Sequence, residues 1–125
     1  MLVSHSREVA DSAAALARAL VGTGDAAPVA AAGGLPDGSI GTSAELVRGA
    51  VRQADEGAGV VILCDMGSAV LTVKALLTEK GFEDVRIADA PFVEGAVAAA
   101  VTASAGGDRA AVLAATDDAR TYRKL

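Results

Sequence analysis

A chain of 125 residues and 12.3 kDa is long enough for one domain with a real core. A net charge of −5 and a pI of 4.7 exclude the basic face that a nucleic-acid binder needs to neutralise phosphates. The single cysteine excludes an internal disulfide, and no apolar run approaches the roughly 18 to 20 residues of a membrane span, so a cytoplasmic domain without membrane insertion is expected.

In chain order, Met1 to Ser4 reads as the end of a strand, and Met1-Leu2-Val3 is too short for the apolar stretch of a signal peptide. From Ser6 onward Val9, Ala13, Leu16 and Leu20 recur at spacings of four, three and four, which predicts one helix with a single apolar stripe, ended by Gly22-Thr23-Gly24. Val29 to Ala32 reads as a strand despite the poor β-propensity of Ala. Gly33 to Gly41, with Pro36-Asp37-Gly38 inside it, has the chemistry of a loop. Thr42-Ser43-Ala44-Glu45 matches a capping box ahead of a helix with Leu46, Val47, Ala50, Val51 and Ala54. Gly59 to Cys64 is apolar on both faces, as a central parallel strand should be. Asp65-Met66-Gly67-Ser68 then leads into a helix carrying Val70, Val73, Leu76 and Leu77, stopped by Gly81. Val85 to Ala88 is a short strand, and Pro91 opens a helix with Val93, Val97, Ala100 and Val101. Gly106-Gly107 precedes a last helix, Asp108 to about Ala119, and Thr121 to Leu125 form a polar tail. The alternation predicts a three-layer, doubly wound α/β fold over residues 1–125 as a single domain. It would hold a mostly parallel sheet of about four strands with helices on both faces.

In such a sheet, ligands bind beyond the carboxyl ends of the strands, near the switch in strand order. Those ends carry Ser4-His5-Ser6, Gly33-Gly34, Asp65-Met66-Gly67-Ser68 and Ala90-Pro91. If the first and third strands are neighbours, Asp65 lies near the only imidazole of the chain, His5. An imidazole, with an ordinary pKa of about 6.5, is available as a neutral nucleophile at cellular pH. A carboxylate at one ring nitrogen fixes the tautomer, frees the other nitrogen to attack and stabilises the positive ring that results. Gly67-Ser68 at a helix start adds amide hydrogens and a hydroxyl, a nest for a dianion. Together these features describe a phosphohistidine site. Each has an ordinary explanation when taken alone. A lone histidine at a strand end is more often a surface or cap residue, Asp65 suits an N-cap, and Ser4 and Ser6 can serve only to satisfy backbone groups.

Rival chemistries fare worse. Gly22-Thr23-Gly24 follows a helix and not a strand, so it is no dinucleotide fingerprint, and no P-loop is present. One His and one Cys cannot make a zinc site of the usual kind. Cys64 ends an apolar strand and is expected to be a buried, inert thiol.

Four runs come in a suggestive order: Val3-Ser4-His5-Ser6, Ile40-Gly41-Thr42, Asp65-Met66-Gly67-Ser68-Ala69 and Ala90-Pro91-Phe92-Val93-Glu94-Gly95. Together they resemble the phosphotransferase-system subunits of bacterial dihydroxyacetone kinases, whose first domain is similar to the enzyme IIA of mannose-family sugar transporters. The resemblance implies a homodimer of doubly wound domains and a histidine that takes a phosphoryl group from the phosphocarrier HPr. It implies onward transfer to ADP held on a nucleotide-binding subunit, with dihydroxyacetone bound on a separate substrate-binding subunit. By position His5 matches the phosphorylated residue, Asp65 the acid that supports it, and Gly67 and Ser68 the turn beside the phosphoryl group. Ser6, opening the helix after His5, and Thr42 are expected to complete the phosphoryl-binding set. No cofactor and no metal is expected for the domain itself.

Family members usually have more first-strand residues before the histidine, so either a short central strand or a start upstream of Met1 is expected here. Longer members carry an HPr-like domain that this chain lacks, so its HPr is expected to come from elsewhere. Relatives in the sugar-transport branch exchange a C-terminal strand between subunits, and the polar ending here predicts no such swap. Two alternatives stay open: a mannose-type sugar-transport enzyme IIA, and a non-catalytic anion- or protein-binding module of the same fold.

Overall fold

Strands β1 (Leu2–Ser4), β2 (Ala31–Gly33), β3 (Val60–Cys64) and β4 (Val85–Ala88) alternate with helices in a computed structural model that describes residues 1–125. The helices are α1 (Arg7–Val21), α2 (Ala44–Ala54), α3 (Gly67–Leu76), α4 (Phe92–Ser104) and α5 (Arg109–Asp118). A short 3-10 turn, Ala119–Thr121, follows α5, and residues 122–125 form no strand. The sheet is wholly parallel with the order β2-β1-β3-β4. The chain leaves β1 for β2 on one side and returns past β1 to β3 on the other. The switch in strand order therefore falls between β1 and β3, where an open α/β sheet forms its crevice.

Alternation along the strands sends side chains into two cores, as a sheet covered on both faces requires. Val3, Val60, Ile62 and Val85 face one layer, where they pack with Val47, Ala50 and Val51 of α2 and Val73 and Leu76 of α3. Leu2, Leu63 and Ala88 face the other layer, with Ala14 and Ala17 of α1 and Ala96 and Ala100 of α4. The three-layer α/β architecture expected from the sequence is the one observed.

Two helices turn a different face inward from the one their larger apolar residues suggest. In α1 the buried residues are Ala10, Ala14 and Ala17, whereas Val9, Leu16 and Leu20 are 48%, 44% and 56% exposed. Both stripes have helical spacing, but α1 packs directly against α4, whose own buried residues are Gly95, Ala96 and Ala100. Small side chains on both partners allow this close approach, and leucines there would force the layer apart. Gly95 shows how little room remains, since a Cβ at that position would sit 2.5 Å from Cδ2 of Leu63. Accordingly Val93 and Val101 of α4 face outward. The second correction is local. Ser43, and not Thr42, caps α2, its hydroxyl accepting the Leu46 amide at 3.2 Å. The cap thus lies one residue later than expected, Leu46 and not Glu45 falls at the third helical position so that no reciprocal box forms, and the Thr42 hydroxyl is left out of the cap.

Candidate functional site

Beyond the carboxyl ends of β1 and β3 the parallel ladder continues for one more hydrogen bond, from the Asp65 amide to the Val3 carbonyl at 3.0 Å. This brings Asp65 beside His5, the residue that follows β1. The loop between β2 and α2 closes over the same point, where the Gly41 amide donates to the His5 carbonyl at 2.9 Å. Gly33, at the end of β2, runs so close to the first turn of α1 that a Cβ there would lie 2.3 Å from the Ser6 carbonyl oxygen. His5 therefore sits on a backbone held from three sides.

The Asp65 carboxylate organises the site. Its Oδ2 accepts the Ser4 hydroxyl at 2.8 Å and the His5 backbone amide at 3.0 Å. Its Oδ1 lies 2.9 Å from Nδ1 of the His5 ring and accepts the Met66 amide at 2.8 Å. Partial burial pushes the Asp65 carboxyl up. The hydrogen bonds from the His5 amide, the Ser4 hydroxyl, the His5 ring and the Met66 amide outweigh that effect and hold it below the ordinary carboxylate value. An ionised carboxylate only accepts, so the ring proton belongs on Nδ1 and Nε2 keeps its lone pair. That free nitrogen meets the Ser68 hydroxyl, which donates to it. The two side chains, His5 and Asp65, are 17% and 14% exposed, open enough for a partner to reach the ring and dry enough to strengthen the hydrogen bond between them.

Ser68 stands in the first turn of α3, which starts at Met66 without a side-chain cap. The Gly67 and Ser68 amides consequently have no acceptor, while those of Ala69 and Val70 turn back to the Met66 carbonyl. Free amides at the positive end of a helix dipole form an anion-binding nest.

The structure thus brings His5, Asp65, Gly67 and Ser68 together. Ser6 goes elsewhere. It is the N-cap of α1, its hydroxyl accepting the Val9 amide at 3.3 Å and donating to Glu8 at 3.0 Å. Its own amide donates to Ser4, so both polar groups expected to meet a phosphoryl group are engaged. Thr42 lies in the loop whose Gly41 binds the His5 carbonyl, bridged to Gly34, and its Oγ1 is buried with no hydrogen-bond partner. Cys64 is half-buried and its thiol is pushed up to about 11 by burial and then by the neighbouring Asp65 charge, so it stays protonated and unreactive at neutral pH. Sequence reasoning missed Ser4. Its role depends on β1 and β3 being neighbours and on which carboxylate oxygen faces it, and neither is written in a local motif.

No group of three or more His, Cys, Asp or Glu side chains is placed to hold a metal ion. An apolar hollow of about 330 Å³, lined by Met1, Val29, Val60, Ala100 and Val112 among others, lies at the amino ends of the strands. The reactive groups are at the opposite end, on an open edge.

The description "PTS system fructose IIA component" (EIIA-man) belongs to a family model that matches residues 1–113. The chain is 39% identical over 113 residues to the phosphoryl donor subunit DhaM of the PEP-dependent dihydroxyacetone kinase of Pantoea ananatis. That match takes in 86% of this chain and 24% of the relative, so the chain spans about a quarter of the Pantoea protein. It is 33% identical to the DhaM of PEP-dependent dihydroxyacetone kinase 2 of Listeria innocua, over 90% of this chain and 91% of that protein. Among solved structures, the crystal structure of a protein of unknown function, EF1359, superimposes with a TM-score of 0.83 at 30% identity, over 99% of this chain and 95% of that one.

Proposed function

The chain belongs to the EIIA-man family of phosphotransferase-system components, and from that premise and the geometry at His5 we propose that it is the phosphoryl donor subunit of a dihydroxyacetone kinase. The observation that carries this reading is the division of labour on one ring: Nδ1 is tied to Asp65, while Nε2 faces the uncapped start of α3.

Phospho-HPr is the donor in this reading. The Nε2 lone pair of His5 attacks the phosphorus as the bond from phosphorus to the HPr histidine breaks, and the electron pair of that bond returns to HPr. The ring becomes a cation, stabilised by the carboxylate at 2.9 Å from Nδ1. The Ser68 hydroxyl swings from Nε2 to a phosphoryl oxygen, and the Gly67 and Ser68 amides take the others. The spare Thr42 hydroxyl is a further donor from the adjacent loop. Ser6 keeps its place in the α1 cap. In the second transfer the nitrogen–phosphorus bond breaks and ADP on the nucleotide-binding subunit receives the phosphoryl group. The ATP so formed serves the substrate-binding subunit that holds dihydroxyacetone.

Residues 1–125 act as one phosphotransferase domain in the cytoplasm, where HPr and the kinase subunits are found. No helix is long and apolar enough to cross a membrane, in keeping with this location. A homodimer is part of the same reading, and the outward Val9, Leu16 and Leu20 of α1 offer an apolar face for a second copy to cover.

Incubation with enzyme I, HPr and phosphoenolpyruvate, followed by intact-mass analysis, should show the gain of one acid-labile phosphate that His5→Ala cannot acquire. Absence of that gain in the unaltered protein would leave the non-catalytic module. Discharge by a dihydroxyacetone kinase core with ADP, and not by a sugar permease, separates this subunit from a sugar-transport enzyme IIA.

A further inference from the structure

Four hydrogens converge on the Asp65 carboxylate, two on each oxygen: backbone amides of His5 and Met66, the His5 ring, and one hydroxyl, that of Ser4. We propose that Ser4 is a positioning residue for His5, acting through Asp65 to hold the ring in the tautomer whose Nε2 is the nucleophile.

The direction of the Ser4 hydroxyl is set by its neighbours. The Ser6 amide donates into Ser4 Oγ at 3.1 Å, so the oxygen is already an acceptor. Its one hydrogen then goes to Asp65 Oδ2, 2.8 Å away. Ser4 is fully buried, so water has no access to replace it. The result is a one-way relay, from the amide that opens α1 through Ser4 to Oδ2. With Oδ2 filled by Ser4 and the His5 amide, any added proton on that oxygen would face two donors. Oδ1 is thereby kept as the acceptor for Nδ1–H. Removal of the hydroxyl leaves Oδ2 with one donor, the carboxylate freer to turn, and the ring freer to take the other tautomer. The simpler role, an acceptor for the Ser6 amide alone, would affect α1 but not the ring.

The inference rests on the proposed phosphoryl transfer, but its first readout needs no donor. His5 is the only histidine of the chain, so long-range ¹H–¹⁵N spectra of the unphosphorylated protein report its ring without overlap. The unaltered protein should show Nδ1 protonated and Nε2 bare, and Ser4→Ala should raise the Nε2–H form several-fold. Initial phosphoryl acceptance from phospho-HPr should fall about tenfold, the size expected for a lost hydrogen bond to a charged group. Within an Asp65→Asn background the same Ser4→Ala change should alter neither the tautomer ratio nor the rate, because its effect runs through the carboxylate. Ser4→Cys, of similar size with a weaker donor, should fall between and decides the matter if Ser4→Ala does not fold. An unchanged ring spectrum in Ser4→Ala, or an equal loss of rate with and without Asp65, would overturn the assignment. If the unaltered protein accepts no phosphate, the functional reading fails, and the ring spectra still decide the role of Ser4.

Discussion

Five helices begin in this molecule, and they do not begin alike. Ser6, Ser43 and Asp108 cap α1, α2 and α5, each accepting an amide of the first turn at 3.3, 3.2 and 2.9 Å. At the start of α3 the cap position holds Met66, 60% exposed, which has no side chain able to accept. The start of α4, at Pro91, is also uncapped, but Glu94 in its first turn supplies a compensating negative charge, and α3 has no acid in its first turn. The one helix with neither a side-chain cap nor an acid inside its first turn is the one beside the imidazole; Asp65, just ahead of it, takes the Met66 amide and leaves those of Gly67 and Ser68 free. Capped starts stabilise the fold. The bare start holds in reserve donors that an incoming anion can use.

The sharpest way to break that contrast is to cap α3. The Met66 backbone is extended, with φ −144° and ψ 168°, which suits a capping residue. Met66→Asp should stabilise the protein by about 1 kcal/mol and raise its melting temperature by roughly 2 to 6 °C. It should also cut phosphoryl acceptance at least tenfold by placing a carboxylate in the nest. A stabilised protein with unchanged transfer would show that the α3 amides are not the cradle. The reciprocal change is Asp108→Ala on α5. It should lower stability by about 1 kcal/mol in a thermal melt and leave phosphoryl acceptance within about twofold, since the end of α5 it caps lines the hollow at the far end of the sheet. A large loss of transfer there would mean that helix capping acts on the site through the fold.

A smaller effect concerns pH. The Asp65 carboxyl is held below its ordinary value of 3.8, so its hydrogen bonds contribute stability that is fully present above about pH 4 and lost as pH falls through the depressed value. Urea titrations between pH 6 and 3 should show part of that loss in the unaltered protein and less of it in Asp65→Asn. An identical slope in both would remove Asp65 from the acid response.

Much of this arrangement was legible in the sequence because it depends on local chemistry. The unbroken apolar run ending at Cys64 identified a central strand, and His5, Asp65, Gly67 and Ser68 each followed a strand or opened a helix. What the sequence left open was adjacency, and the order β2-β1-β3-β4 supplies it. Sequence and structure part where two local solutions compete on equal terms. Leu16 and Leu20 outrank Ala14 and Ala17 in hydrophobicity, but the close contact between α1 and α4 admits only the alanines. Thr42 and Ser43 are both good caps, and one residue of register decided which hydroxyl was used and which was left spare. Ser6 offered a hydroxyl near the ring and was taken by its own helix. Ser4 could be read only once the carboxylate had a position and an orientation.

Asp65 reserves one nitrogen of His5 and presents the other to the bare start of α3. Phosphorylation of uniformly ¹⁵N-labelled protein by enzyme I, HPr and phosphoenolpyruvate, followed by ³¹P and long-range ¹H–¹⁵N spectra of the His5 ring, tests it directly. The expected product carries its phosphoryl group on Nε2, with Nδ1 still protonated toward Asp65. A phosphoryl group on Nδ1, or on any residue other than His5, would contradict it.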